Sequence, residues 1–256
     1  MAEMLPAASH RPWPLPARPW VMRHTWHDLM FAHWPLSVDY LRAFVPPELE
    51  LDSFNGNAWL AVAPFWMSGI RLRGLPALPG ISSFPELNVR TYVKGPSGSA
   101  SQSPSAGKPG VYFFSLDAGN ALAVAAARAW CRLPYLNADM KVQLAGDEVN
   151  YSSRRCSPST PAEVVCRYQP IGKGSQIKTP LENFLTERYC LYAVAGKGRL
   201  LRGEIHHASW TLQSAEAHWE VNTVTQSYGI VLPPLPPLLH FSKRLDVFVW
   251  APERVR

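Results

Sequence analysis

Four polar residues, Glu86, Asn88, Arg90 and Tyr92, stand at every second position of the segment 83–93. Because successive side chains of a strand point to opposite faces, this alternation predicts a strand with an acid, an amide, a base and a phenol in one row. The intervening residues are mostly apolar and would form a second face. The row is therefore either a solvated face of an antiparallel sheet, where exposed charges contribute little, or the lining of a polar cavity.

A cavity would give each of these side chains a chemical role. A glutamate whose pKa is raised by burial can exchange protons with a ligand, and a guanidinium can bind a carboxylate through two parallel hydrogen bonds. Same-face positions on a strand are about 6.5–7 Å apart, so Glu86 and Arg90 cannot pair directly. Both side chains are long enough to converge on one bound anion, and Asn88 between them can donate hydrogen bonds to it.

The residues that precede the row favour the cavity. Phe84 and Pro85 precede it, an unusually apolar loop lies at 74–80, and the segment 58–67 is apolar on both faces. Such a segment is typical of a buried strand, although Pro64 within it predicts an edge position or a bulge.

The rest of the chain must form the sheet that positions this row. Short helices are predicted at 38–44, after the capping residue Ser37, at 120–130, and from 179 to about 188, where Thr179 and Glu182 form a capping box. Further strands are predicted at 49–52, 111–117, 138–144, 148–152, 163–168, 189–194, 200–210 and 246–250. This pattern predicts a mainly β (β-rich α+β) fold, an antiparallel barrel-like sheet with two or three short helices.

The domain organisation is predicted to be simple. Residues 1–18 form a Pro-rich N-terminal arm that is mobile or lies on the surface, and residues 19–256 form a single domain. The low-complexity segment 95–110 lies between two strand signals, which indicates the tip of a hairpin rather than a domain linker.

Charge and hydropathy exclude several classes of partner. The net charge is +6, but the arginines are scattered and no nucleic-acid-binding motif occurs, so we expect no nucleic-acid partner. No segment approaches the roughly 20 apolar residues of a membrane span, and the N-terminus lacks the apolar run of a signal peptide. We therefore expect a cytoplasmic protein that does not bind a membrane.

The usual motifs for metals, cofactors and nucleophiles do not occur. No glycine-rich nucleotide motif or nucleophile elbow is present, so no cofactor is expected. The cluster His24, His27 and His33 has no acidic partner at metal-ligand spacing, and no metal site is expected. The four cysteines form no C-x-x-C pair and are expected to be reduced thiols, with a Cys156–Cys166 disulfide left open.

Several segments together carry a family resemblance. The segments 19–34, 84–92, 112–117 and 133–140 resemble, in order and with similar spacing, the YqjF-like family of uncharacterised bacterial proteins, domain of unknown function 2071. The resemblance covers roughly residues 19–250. That family is similar in fold to acetoacetate decarboxylase, which implies a single barrel-like domain around an apolar pocket.

The resemblance also bears on the chemistry. In acetoacetate decarboxylase a lysine forms a Schiff base with the keto acid, and an adjacent lysine lowers its pKa. The matching place here is Pro134-Tyr135-Leu136, which contains no lysine, whereas Glu86 matches a family glutamate. The resemblance therefore implies the pocket without the decarboxylase nucleophile.

Three interpretations of function follow, and whether the protein is an enzyme is left open. The first is a pocket for an anionic or oxygenated organic ligand, with Glu86 and Tyr135 as catalytic residues and with Arg90, Asn88 and His33 binding the ligand. For Tyr135 the alternative is a core aromatic residue. The second is a non-catalytic scaffold that assembles, as a homo-oligomer or with a partner, through the aromatic arm and the Pro-rich segment 233–237. The third is a residual decarboxylase-like lyase that uses Lys141.

Overall fold

The computed structural model describes residues 5–96, 107–195 and 198–255. The described helices are α1 (Val38–Arg42), α2 (Ala121–Cys131) and α3 (Pro180–Thr186). The described strands are β1 (Met22–Ser37), β2 (Glu50–Leu51), β3 (Asn57–Leu72), β4 (Phe84–Lys94), β5 (Pro109–Ala118), β6 (Tyr135–Ala145), β7 (Glu148–Arg155), β8 (Glu163–Ser175), β9 (Cys190–Ala195), β10 (Arg199–His206), β11 (Leu212–Asn222), β12 (Leu238–Val249) and β13 (Glu253–Arg254).

The sheet closes into a barrel, as predicted. Its strand order is β5, β6, β7, β8, β11, β12, β1, β3, β4, and β4 pairs back to β5. The expectation of a purely antiparallel sheet is wrong, because β5 runs parallel to both β6 and β9. The parallel pairing follows from helix α2, which carries the chain from the end of β5 back to the start of β6 as a crossover connection.

A second closed ring shares a wall with this barrel. Strands β9 and β10 connect β5 to β12, so β5, β9, β10, β12, β1, β3 and β4 also form a ring. The two faces of β4 therefore line two different interiors. Leu87 and Val89 pack with Val149 and Val164 in the core of the first barrel, whereas Tyr92 packs with Ala193 of β9 inside the second ring.

The bulge predicted from Pro64 is confirmed, but the edge position is wrong, because β3 pairs with β1 on one side and β4 on the other. The β1–β3 pairing slips between His27 and Ala32, so that β1 carries one extra residue opposite the proline. Proline has no N–H to donate to the neighbouring strand, so a bulge opposite it costs little free energy. Asp28 within the bulge has a φ of 46°, and Lys243 pairs with its carboxylate at 2.7 Å.

The described part of the N-terminal arm packs against β10 of the same chain. The Arg11 guanidinium donates to the carbonyl of Ile205 at 2.6 Å and pairs with Glu204 at 3.2 Å. Trp13 donates its indole N–H to the same carboxylate at 3.1 Å, and Lys108 pairs with it at 2.7 Å. Arg11 and Trp13 of the arm are thus packed on the same chain through Glu204.

The remaining local predictions have mixed outcomes. The helix caps at Ser37 and Thr179 are confirmed, including the capping box at α3, and Asn120 caps α2. Cys156 and Cys166 are free thiols, so the disulfide left open from the sequence is not formed.

The loop tip at 97–106 and the turn at 196–197 lie outside the described residues. In the described part of the chain, no helix is long and apolar enough to span a membrane.

Candidate functional site

The polar row of β4 is buried. Glu86, Asn88 and Arg90 are only 3%, 5% and 8% exposed, so the interpretation as a solvated face is wrong. Their face of β4 lies inside the second ring, between an apolar cluster around Phe31 and Phe65 and another that contains Tyr92 itself. Burying an acid and a base in such surroundings is costly unless each finds a partner.

Glu86 accepts hydrogen bonds from both interiors that β4 borders. Tyr135 donates its hydroxyl to Glu86 Oε2 at 2.9 Å, and Tyr151, from the first barrel, donates to the backbone carbonyl of Glu86 at 2.7 Å. Burial raises the pKa of the Glu86 carboxyl to about 8, against the opposing hydrogen bonds of Tyr135 and Asn88. The carboxyl is therefore mostly protonated at neutral pH and can act as a proton donor.

The end of helix α2 places Tyr135. Arg132 caps the helix in the left-handed region with a φ of 55°, and the chain then enters β6 at Tyr135, opposite Leu116 of β5. Arg128 donates to the carbonyl of Tyr135 at 2.5 Å, which ties the helix to the start of the strand. This parallel start of β6 directs the phenol across β5 to Glu86.

Arg90 is a buried cation without an anionic partner among the described residues. Its Cζ lies 5.1 Å from the centroid of the Phe31 ring, and its positive charge opposes the rise that burial causes in the pKa of the Tyr92 phenol. The Nε atom is buried and has no hydrogen-bond partner in the described part of the chain. A desolvated guanidinium of this kind favours a bound anion.

His33 completes this side of the site. Its Nε2 lies 2.7 Å from the Tyr92 hydroxyl, and its ring stacks on Phe31 with centroids 5.7 Å apart. Burial, with a further contribution from Arg90 and His240, lowers the pKa of His33 well below its ordinary value. The imidazole is therefore neutral at physiological pH.

Sequence reasoning missed two residues of this ring, His240 and Trp210. His240, on β12, has its ring centroid 6.4 Å from that of His33 and its Nε2 3.0 Å from Glu182 Oε1. Trp210, after β10, meets Phe31 edge to face at 5.0 Å. The alternation of polar and apolar residues at 239–242 was the available signal for His240, but the strand there was predicted only from residue 246.

The lysines of the described ranges do not stand beside Glu86. Lys141 is exposed on β6. Lys178 is buried, but its Nζ pairs with Glu187 at 3.0 Å and donates to Ser209 at 2.9 Å and to the carbonyl of Trp210 at 3.0 Å. Within the same ranges, no three His, Cys, Asp or Glu side chains are grouped so as to hold a metal ion.

The fold is that of the acetoacetate decarboxylases. The chain is similar to acetoacetate decarboxylase from Legionella pneumophila, with a TM-score of 0.60 and 12% identity, over 97% of this chain and 93% of the other. An acetoacetate decarboxylase-like enzyme from Sphingomonas wittichii gives a TM-score of 0.62 at 10% identity, over 97% of this chain and 100% of the other. The enduracididine biosynthesis enzyme MppR in complex with pyruvate gives 0.60 at 11%, over 93% and 91%.

Within that fold, the chain belongs to the DUF2071 family, described as an uncharacterised conserved protein, which matches residues 23–246. It is 47% identical to the uncharacterised protein YqjF of Bacillus subtilis over 232 residues, which is 90% of this chain and 91% of that protein. The family resemblance read from the sequence is confirmed.

Proposed function

We propose that the protein binds a small organic carboxylate inside the second ring and transfers a proton to or from it through Glu86, without an imine intermediate. The observation that carries the proposal is Arg90, a buried guanidinium with no carboxylate partner in the described part of the chain. A small carboxylate would supply the missing negative charge and accept two parallel hydrogen bonds from it.

The two ends of the polar row then have different tasks. Arg90 binds the carboxylate of the ligand. Glu86 lies two positions away on the same strand face and points at the part of the ligand that extends beyond this carboxylate. The Glu86 carboxyl, with its pKa raised to about 8, delivers a proton there, and Tyr135 fixes the orientation of the carboxyl through its hydrogen bond. Asn88 stands between them, with a buried Oδ1 that has no partner among the described residues.

The solved relatives support the class of ligand. One is named for the decarboxylation of acetoacetate, and another was solved with pyruvate, so both handle small carboxylic acids. The imine route is disfavoured for this chain, because Tyr135 stands at the matching place and Lys141 is exposed. Lys178 is already saturated by Glu187 and three hydrogen bonds to Gln176, Ser209 and Trp210.

Isothermal titration calorimetry with acetate, pyruvate and acetoacetate tests this function. We expect Arg90→Gln to weaken binding of the acids about tenfold or more, since a charge-assisted hydrogen bond is lost. Arg154→Gln, at an exposed position of β7, is the matched control and should leave binding unchanged. Equal affinities for the wild type and Arg90→Gln, with both folded by circular dichroism, would remove Arg90 from the site and end the proposal.

A second candidate is assembly through the Pro-rich segment 233–237, which one observation favours. Val231, Leu235 and Leu238 around this segment are 72%, 45% and 37% exposed. Light scattering of Leu235→Ser against the wild type tests it, and a mass that stays that of a monomer in both would exclude it.

A further inference from the structure

We infer that His33 and His240 together form a hydroxyl-binding site inside the second ring, so that the protein takes a short hydroxy acid in preference to the plain acid. This inference rests on the proposed function, because it names the class of carboxylate that Arg90 would hold. It is carried by the hydrogen-bond chemistry of the two imidazoles.

The contacts of Tyr92 fix the tautomer of His33. The Tyr92 hydroxyl lies 2.7 Å from His33 Nε2, and we assign the phenol as the donor, because a phenol O–H is a far stronger acid than a neutral imidazole N–H. A neutral imidazole that accepts a hydrogen bond at Nε2 carries its own proton on Nδ1. His33 Nδ1 is buried and has no partner among the described residues, so it presents a free N–H donor.

Glu182 fixes the opposite tautomer in His240. An ionised carboxylate only accepts hydrogen bonds, and Glu182 Oε1 lies 3.0 Å from His240 Nε2, so Nε2 carries the proton. Burial opposes ionisation of Glu182, but hydrogen bonds from Thr179 and His240 outweigh it and lower its pKa. His240 Nδ1 is therefore an acceptor, and it too is buried without a partner in the described part of the chain.

The two imidazole rings that carry this donor and this acceptor are neighbours. The two ring centroids are 6.4 Å apart with an interplanar angle of 63°, and the two Nδ1 atoms do not bond to each other. A group that both accepts from His33 and donates to His240 satisfies the pair, and a hydroxyl does both. A carboxylate can only accept and an ammonium can only donate, so neither satisfies both nitrogens.

The pair is next to the proposed carboxylate site. The Phe31 ring lies under the Arg90 guanidinium, at 5.1 Å, and stacks on His33, at 5.7 Å, so both groups border the same aromatic surface. A ligand whose carboxylate contacts Arg90 can therefore place a hydroxyl of a neighbouring carbon between the imidazoles. Short 2- or 3-hydroxy acids have this arrangement.

Burial lowers the pKa of both histidines, which keeps the donor–acceptor arrangement at neutral pH. For His240, Glu182 opposes this shift without reversing it.

Calorimetry with matched pairs of acids tests the inference on the wild-type protein. Lactate is compared with propionate, and 3-hydroxybutyrate with butyrate, so that each pair differs only by the hydroxyl. We expect at least one hydroxy acid to bind about tenfold more tightly or better than its partner, because a site built for a hydroxyl leaves polar groups unpaired without it. Equal affinity within both pairs, with binding weakened by Arg90→Gln, would overturn the inference and leave the proposed function standing. If none of the four acids binds, both the inference and the proposed function are overturned.

Two variants identify the atoms responsible. His240→Leu should abolish the preference for the hydroxy acid, measured as the ratio of the dissociation constants of propionate and lactate. Glu182→Gln keeps His240 and the capping box, since glutamine also serves at that position. Its amide can donate to His240 Nε2 and reverse the tautomer, so the preference should fall here as well. A preference that survives in both folded variants would contradict the assignment.

Discussion

The Tyr135 hydroxyl donates a 2.9 Å hydrogen bond to Oε2 of Glu86, although β6 and β4 are separated in the sheet by β5. The contact depends on the parallel start of β6 beside β5, which only the crossover through α2 provides. It brings Tyr135, the first residue of β6, into direct contact with the acid that the sequence singled out. Tyr135 is thus hydrogen-bonded to the carboxyl group of Glu86.

Removing this hydroxyl should raise the pKa of Glu86 further. The hydrogen bond from Tyr135 stabilises the ionised carboxylate and so opposes the effect of burial. In Tyr135→Phe we expect the midpoint of Glu86 titration to move above about 8. Carbon-detected NMR of carboxyl-labelled glutamate measures the shift directly, with Glu86→Gln to assign the resonance. A midpoint that falls in Tyr135→Phe would show that the phenol does not stabilise the carboxylate.

The raised pKa of Glu86 also predicts a pH-dependent cost in stability. In the unfolded chain a glutamate ionises near its ordinary value of 4.5, whereas in the fold the pKa is about 8. Between these values the unfolded state binds fewer protons, so the free energy of unfolding falls as pH rises and levels off above pH 8. The full cost is about 5 kcal/mol by linkage, and it is absent below pH 4.5.

Glu86→Gln should remove this dependence. Urea denaturation of the wild type and the variant is compared at pH 5 and at pH 8.5. We expect the stability of Glu86→Gln relative to the wild type to increase by several kcal/mol between the two pH values. A constant difference would mean that Glu86 titrates alike in the folded and unfolded chains.

The fold was largely predictable, because its determinants are local. Period-two alternation identified β4, the strands of the meander β6–β8 were predicted, and the capping residues Ser37 and Thr179 identified the starts of α1 and α3. The 16-residue strand β1 was not predicted. Its bulge at Asp28 breaks the alternation, and the cause of that bulge, Pro64, lies on another strand.

The site was predictable only in part, because strands far away in the sequence decide which face of β4 is interior. The residues of β4 share one strand, so their spacing alone placed Glu86, Asn88 and Arg90 on one face. The choice between solvent and interior depended on β9 and β10, which close the second ring far along the chain. His240 enters the ring through the pairing of β12 with β1, and no local pattern specifies that register.

A buried ion pair in the first barrel is expected to be critical for stability. Arg155 contacts both carboxylate oxygens of Asp117, at 3.0 Å, and both side chains are almost fully buried. Asp117→Ala leaves the guanidinium buried without its counter-charge, so we expect a loss of about 3–5 kcal/mol in the free energy of unfolding. The neighbouring pair of Arg154 and Asp139, 3.8 Å apart and exposed, is the control, and Asp139→Ala should cost less than about 1 kcal/mol. Similar losses in the two variants, measured by denaturant titration, would contradict the prediction.

Absence of an imine is a direct prediction of the proposed chemistry. A Schiff base requires an unprotonated lysine amine next to the bound keto acid. Lys141 is exposed, and Lys178 is paired with Glu187 and donates hydrogen bonds to its neighbours. We therefore expect borohydride reduction in the presence of acetoacetate to leave the intact mass unchanged. A mass increase of one reduced adduct, lost in Lys141→Met or in Lys178→Met, would assign the amine and replace acid–base catalysis by Glu86 with the imine route.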